Sequence, residues 1–414
     1  RLAFCDLYGK QKNISIMPSE LTKAFDTGIC FDPSAVSGFA LDAQRELFLV
    51  PDPSTLSVLP WRPSHGRVVR FFCNMKRRDG TWYEPYWRSL YEKSVRKLQN
   101  YGLHCKIGTN CEFYLFDLDE KGAPTRNAQD TAGYGDIAPR DKGENVRRDI
   151  CLTLEEMGIY PESSHHERGP GQNEIDFKHS DASSAADNFL AFKGVVKSIA
   201  ARNGLYASFM PRPYLENSGS GLHLNLSLYS EAPGTKQSNP SKKAFFAGMI
   251  NRLKELSLFL NPLNNSYLRF TKGDVPSQIS WSSQNNGQII TISAPEDEVS
   301  RFSLRSPDAS LNPYLAFSLL LEAGMEGMEQ NLPLCAPVDL PLNDLTPDQR
   351  QQLPHLCKNL GEAVDAAEQS EFLAKNLPAE LLREWIQAKR KEFEEYSRCE
   401  EKENWELAAY FLSE

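Results

Sequence analysis

No run of about 18 apolar residues occurs in the 414-residue sequence, so no membrane-crossing helix is expected. There is no CxxC pair and no His/Cys group at zinc spacing. The nine cysteines are odd in number and scattered from Cys5 to Cys399, the pattern of free thiols in a reducing, cytoplasmic setting. Basic residues are in deficit: 46 Lys and Arg against 55 Asp and Glu leave a net charge of −9, which argues against nucleic acid as a partner. Residues Arg1–Asp6 are too short and too mixed to read as a signal peptide. Repeats and low-complexity stretches are absent as well. What is present is the balance of a soluble globular protein, 40% hydrophobic and 24% charged, long enough for two domains and a large core. The expected partner is a small molecule, a metal ion or another copy of the chain.

Short apolar runs broken by turn residues dominate the first 95 residues. Leu2–Leu7, Arg45–Val50 and Val68–Asn74 read as strands, and Pro18–Thr27 as one helix. From Glu84 to Tyr101 the period turns helical, which places a domain boundary near residue 95 and predicts units 1–95 and 96–414. Beyond it, strands (Asn110–Asp117, Gln172–Lys178, Leu222–Leu228) alternate with helices (Glu144–Met157, Ala185–Asn203, Lys242–Leu260, Pro313–Met328). Alternation of this kind predicts an α/β domain around a large central sheet. The tail, Thr346–Phe411, reads as mostly charged helix with Pro378 opening one segment.

Three groups of residues carry chemistry. Glu112 sits in the apolar strand Cys111–Phe116, Glu167 follows His165-His166, and Glu174 lies in Gly169-Pro-Gly-Gln-Asn-Glu-Ile-Asp-Phe177. A carboxylate in a buried strand is costly unless paired or bound to a cation, and several together make an oxygen site for Mg²⁺ or Mn²⁺. Each alone reads equally as a salt-bridged strand residue. The second group is Ser218-Gly-Ser-Gly-Leu-His223, a glycine turn that brings amides towards a ligand, or simply leads into a core histidine. The third is basic: Arg269, and the pair Arg301 and Arg305, whose i, i+4 spacing in a strand puts both on one face. Such guanidinium groups bind carboxylate or phosphate, or pair with local acids.

Taken in order, these stretches resemble type I glutamine synthetases across essentially the whole chain. Phe31-Asp-Pro-Ser-Ala-Val-Ser-Gly-Phe39, Pro51-Asp-Pro-Ser-Thr55, Gly169–Phe177, Gly219–His223, Asn265-Ser-Tyr-Leu-Arg269, Ser306–Phe317 and Asn404-Trp-Glu406 each match a family segment, in family order. The resemblance implies an α+β protein: an N-terminal β-grasp domain, then a catalytic domain built on a funnel-like antiparallel barrel. It also implies a homo-oligomer, a dodecamer of two stacked hexameric rings with active sites shared between subunits. The implied reaction is ATP-driven activation of glutamate to γ-glutamyl phosphate, then attack by ammonia, with two metals dividing the work. Carried over by position, Glu112, Glu167 and Glu174 hold the first metal. Gly219, His223, Arg269 and Arg305 line the glutamate end, and Asp32, with Glu46 nearby, serves ammonium across the subunit interface.

The second metal's ligands are depleted. The family's ExE pair is here Asn110-Cys-Glu112, and the glutamate of RIEVR is Ser303, so only His223 remains of three. Gln284, Asn286 and Thr291 stand where phosphate-clamping arginines are expected; Arg301 alone keeps its place. The Glu296-Asp-Glu298 run adds negative charge, and Asp274 is the nearest substitute for an expected flap glutamate. Because one stabilising arginine is worth about 10³–10⁵ in phosphoryl-transfer rate, ATP use is expected to suffer. The main expectation is therefore a protein that binds glutamate or a relative with one Mg²⁺ or Mn²⁺, with reduced or lost ligase activity and a regulatory or scaffold role, co-assembling with an active synthetase. The alternatives are an active glutamate–ammonia or γ-glutamyl-amine ligase, and a metal-dependent γ-glutamyl amide hydrolase.

Overall fold

The computed structural model describes residues 1–39, 46–61, 66–230, 240–293 and 300–413. The acidic run Glu296–Glu298 and the first residue of the predicted strand, Arg45, lie outside them.

The N-terminal sheet is built from β1 (Leu2–Cys5), β2 (Gln11–Ile14), β3 (Ile29–Phe31), β4 (Leu47–Pro51), β5 (Ser57–Val58) and β6 (Val69–Lys76). Their order is β2-β1-β6-β4-β3, with β5 also on β6. Only β1 and β6 run parallel. The four residues of β1 are all buried, as a short apolar run at the centre of a covered sheet must be. Helix Trp87–Asn100 seals this sheet to the rest of the molecule. Its buried face repeats at Trp87, Tyr91, Val95 and Leu98, the spacing of one helical stripe. Trp87 packs tilted against Phe39, ring centroids 4.8 Å apart, and donates to Cys5 Sγ at 2.9 Å.

The larger sheet contains β7 (Leu103–Leu118), β8 (Pro124–Ala128), β9 (Pro161–His166), β10 (Gln172–Phe177), β11 (Ser180–Asp181), β12 (Leu205–Ser208), β13 (Leu222–Ser230), β14 (Trp281–Ser282), β15 (Ile290–Ser293) and β16 (Ser300–Leu304). Its order is β14-β15-β16-β13-β7-β10-β9, with β8, β11 and β12 also on β7. All pairs are antiparallel except β14 with β15. The α/β reading drawn from alternation is thereby corrected to α+β. A helix can return the chain to either end of a sheet, so alternation alone does not fix strand direction.

One face of this sheet is core. Leu222, Leu224, Leu226 and Leu228 of β13 and Ile107, Cys111, Phe113 and Leu115 of β7 pack in one cluster with helices Ala182–Arg202, Pro240–Leu260 and Pro313–Glu329. The last two helices approach closely: a Cβ on Gly248 or on Gly327 would come within 2.7 Å of the other's Cα. The alternate residues of the same strands are polar and form the opposite face. The charged tail is several helices rather than one. Asn359 and Ser370 each cap a new start, at Leu360 and Glu371, and Pro378 immediately precedes the 20-residue helix Ala379–Arg398. All nine cysteines are free.

Candidate functional site

Register decides which side chains meet on the polar face. Across from Glu112 stands Glu174, and across from Glu174 stands His165. Two residues along, Asn110 faces Asp176 on one side and His223 on the other, Asp176 faces Ser163, and Asn225 faces Ser303. The period of two puts all of these on one surface.

At the first end, carboxylates converge. Single ligand atoms from His165, Glu167 and Glu174 all lie within 4.8 Å of one another, which is the spacing of a cation site. His165 Nε2 is 3.3 Å from both Glu167 Oε1 and Glu174 Oε2. Glu112 Oε2 accepts from the Gly221 amide at 2.9 Å and from Gln172 Nε2 at 3.1 Å. Burial, and then the nearby charges of Glu174 and Glu167, push the Glu112 carboxyl up to about 8. Burial raises Glu174 as well, against the pull of His165, while the two carboxylates hold His165 up at about 9. Excess negative charge with a single imidazolium as counter-charge suits a hard divalent cation.

At the second end the face is neutral apart from one acid. Ser303 Oγ donates to Asn225 Oδ1 at 2.6 Å, Asn225 Nδ2 to Asn110 Oδ1 at 2.6 Å, and Asn110 Nδ2 to Asp176 Oδ1 at 2.5 Å. Ser163 Oγ closes the row on the other oxygen of Asp176. The row thus crosses β16, β13, β7, β10 and β9 with each link supplied by a protein group. Asn110 and Ser303, the positions expected to have lost carboxylates, are both links in it. Beside it, His223 is pushed down to about 3 by burial and by Arg305 and Arg269, so its imidazole is neutral. Thr291 lies opposite Ser303 in β15.

The glycine turn is held tightly. Gly219 N donates to Asp274 Oδ2 at 3.0 Å, and Asp274 also pairs with Arg212. A Cβ on Gly219 would come within 2.7 Å of Arg269 Cγ, and one on Gly221 within 2.8 Å of Arg269 Nη2. Arg269 is 1% exposed, donates to the Ser306 carbonyl at 2.9 Å and leaves its Nε without a partner. Arg305 donates to the Asn286 carbonyl, and its Nε is also buried without a partner. Arg301 and Arg305 share a face, but Arg301 is exposed and borders a separate cavity of about 600 Å³ with Lys106 and His179, while Arg305 reaches the Asn286 carbonyl.

Residues 85–410 match the family described as glutamine synthetase, catalytic domain, and residues 1–78 match glutamine synthetase, beta-Grasp domain. The chain belongs to the glutamine synthetase family. A glutamine synthetase from Clostridium saccharobutylicum is 39% identical over 420 residues, 99% of this chain and 94% of that protein. One from Methanosarcina mazei is 37% identical with the same coverage. Among solved structures, a GmaS–ADP complex aligns with a TM-score of 0.84 at 27% identity, covering 99% of this chain and 95% of that one. The Plasmodium falciparum glutamine synthetase shares the fold with a TM-score of 0.80 over 96% of this chain and 93% of that one, at 22% identity.

For this glutamine synthetase family member, sequence reasoning missed four groups. In the sequence His165 stands out only as a neighbour of Glu167; its place across from Glu174 comes from the strand register. Gln172 ties Glu112, the Gly219 carbonyl and the Gly169 amide together, and nothing in a lone buried glutamine announces that. Asn225 and Asp176 complete the neutral row. A second cluster, Asp130, Asp141 and His166, is wholly buried and self-contained: His166 bridges Asp130 and the Glu167 carbonyl, and Arg147 pairs with Asp141. It fixes the β9–β10 hairpin that carries Glu167. Asp32 caps its own turn through Ser34, which lowers its carboxyl, and Glu46 pairs with Arg78 at 3.1 Å. Their partners thus lie in the N-terminal domain. No helix among the described residues is long and apolar enough to cross a membrane.

Proposed function

We propose that this protein binds glutamate or a closely related amino acid together with one Mg²⁺ or Mn²⁺, and that its ATP-dependent ligase activity is reduced or lost in favour of a regulatory or scaffold role. The observation that carries the reading is the row Ser303–Asn225–Asn110–Asp176–Ser163, which gives the second end of the face its own hydrogen-bond partners in place of a metal. Glu112, Glu167 and Glu174 serve as the metal ligands, with His165 beside them and neutral His223 on the adjoining strand. When bound, the cation neutralises these carboxylates and polarises an amino-acid carboxylate. Gly219, Arg269 and Arg305 orient that amino acid, and Arg301 stands further out as a contact for a second anionic group.

Asp32 and Glu46 act on a neighbouring subunit's site, in a double-ringed homo-oligomer that also co-assembles with an active synthetase. Units 1–95 and 96–414, divided within helix Trp87–Asn100, are the working parts, and the protein acts in the cytoplasm. A second reading, an active glutamate–ammonia or γ-glutamyl-amine ligase, is favoured by the 37–39% identity to glutamine synthetases over 99% of the chain. Phosphate release from Mg·ATP separates the two. With glutamate and ammonium or a panel of amines, the first reading expects little or no release above the protein-free rate. Release that requires both glutamate and an amine would establish the second.

A further inference from the structure

The cleft between the N-terminal sheet and the catalytic helices contains a site that the sheet face does not use. A cavity of about 740 Å³ opens there, bounded by the Pro51–Ser57 segment and Arg70 on one side and by Arg96, Gln99 and Ser183 on the other. Its volume lies within the range of about 300–1,000 Å³ usual for small-molecule sites.

Two buried arginines border it, and they differ. Arg88 is fully engaged: it donates to both oxygens of Asp187, to Asp52, to Glu92 and to Asn74. Arg70 is 6% exposed, with its guanidinium carbon 4.4 Å above the Phe72 ring, and its Nε has no hydrogen-bond partner. No ion pair reaches it among the described residues. A guanidinium fork that lines a cavity and meets no carboxylate among the described residues is a group prepared for an anion. Asp52, Glu92 and Asp187 also line the cavity, and Arg88 binds all three. Arg88 takes their direct hydrogen bonds, while the charge of Asp187 also acts on Arg70 and opposes the lowering effect of burial there. Arg96, 65% exposed at its side chain and 3.6 Å from Glu92, stands at the rim as a second cation.

We propose that this interdomain cavity binds a small oxyanion, carboxylate or phosphate, on Arg70, with Arg96 assisting at the rim. The occupant joins β6, which carries Arg70, to the helix that carries Arg96 and to Ser183 at the start of helix Ala182–Arg202. The site thereby ties the two domains together. It is independent of the amino-acid and metal site on the sheet.

The test is calorimetric titration of the full-length protein with inorganic phosphate and, separately, with succinate, at constant ionic strength. Saturable binding of one anion per chain is expected, weakened about tenfold or more by Arg70→Lys, which keeps the charge but loses the fork. A smaller loss is expected for Arg96→Gln, and no change for Glu174→Gln, which alters only the sheet site. Phosphate alone, succinate alone or both identifies the class of anion, and each supports the site. Absence of saturable binding to the wild type overturns the proposal. So does binding that Arg70→Lys leaves intact, or binding that Glu174→Gln abolishes. Should Arg70→Lys fail to fold, the anion-induced rise in wild-type melting temperature decides, since it must shrink in Arg96→Gln.

Discussion

One step of two residues along three adjacent strands separates two very different chemistries. Glu112 gives way to Asn110, Glu174 to Asp176 and His165 to Ser163. The first member of each pair belongs to an end where carboxylates outnumber cations and burial lifts Glu112 to about 8. The second belongs to a row in which every link is a protein hydrogen bond. The contrast teaches that burial and polarity do not by themselves make a metal site. An end whose negative charge exceeds its internal partners calls for a cation, whereas a row that closes on itself does not.

The largest effect is expected from erasing the difference. Asn110→Glu with Ser303→Glu inserts two carboxylates beside Asp176, and without metal this should destabilise the fold by about 3–5 kcal/mol, measured by chemical denaturation. With Mn²⁺ present, the same variant should bind a second equivalent. Next is the converse change at the charged end. Glu174→Gln should weaken Mn²⁺ binding roughly 100-fold by calorimetry, since even outer-shell ligand changes cost about 10–100-fold.

The pH dependence follows from Glu112. Its carboxyl is lifted from 4.5 to about 8, so below that point a cation must displace a proton. Metal affinity should therefore rise with pH, by up to about tenfold per unit, and level off above 8. For the metal-free protein the sign is opposite. Between 4.5 and 8 the unfolded chain releases a proton that the folded chain keeps, so stability falls as pH rises through that window. His223, pushed down to about 3, adds stability that is lost as pH falls below 6.5.

A smaller effect is expected within the row. Asn225→Ala removes the member between Ser303 and Asn110 and leaves both short of a partner, a loss of about 1–3 kcal/mol seen in melting temperature and not in metal affinity. Smallest is Glu46→Gln. It breaks an exposed ion pair with Arg78, and the change should stay within about 0.5 kcal/mol.

Much of this was readable beforehand, for reasons that differ from residue to residue. Element positions came from periodicity: helix Glu144–Glu156 and strand Gln172–Phe177 each end one residue from where the pattern put them. Strand direction was not readable, because alternation is silent on it. The departures at Asn110 and Ser303 were visible as missing carboxylates. That they join through Asn225 was not, because the link depends on the register of β13 between β7 and β16. Asp274 was visible as the nearest substitute for a flap glutamate. Its grip on the Gly219 amide and on Arg212 needed the fold. For Arg269 the sequence left ligand binding and local pairing both open; its contacts with the Ser306 carbonyl and with Asp308 needed the fold.

The division of the sheet face is tested most directly by counting divalent cations. The metal-free protein would be titrated with Mn²⁺ while free and bound ion are followed by electron paramagnetic resonance. One ion per chain, lost in Glu174→Gln and unaffected by Asn225→Ala, is the predicted result. Two ions per chain in the wild type, with the second released by Asn225→Ala, would contradict the account by showing that the row of amides and hydroxyls opens to hold a metal.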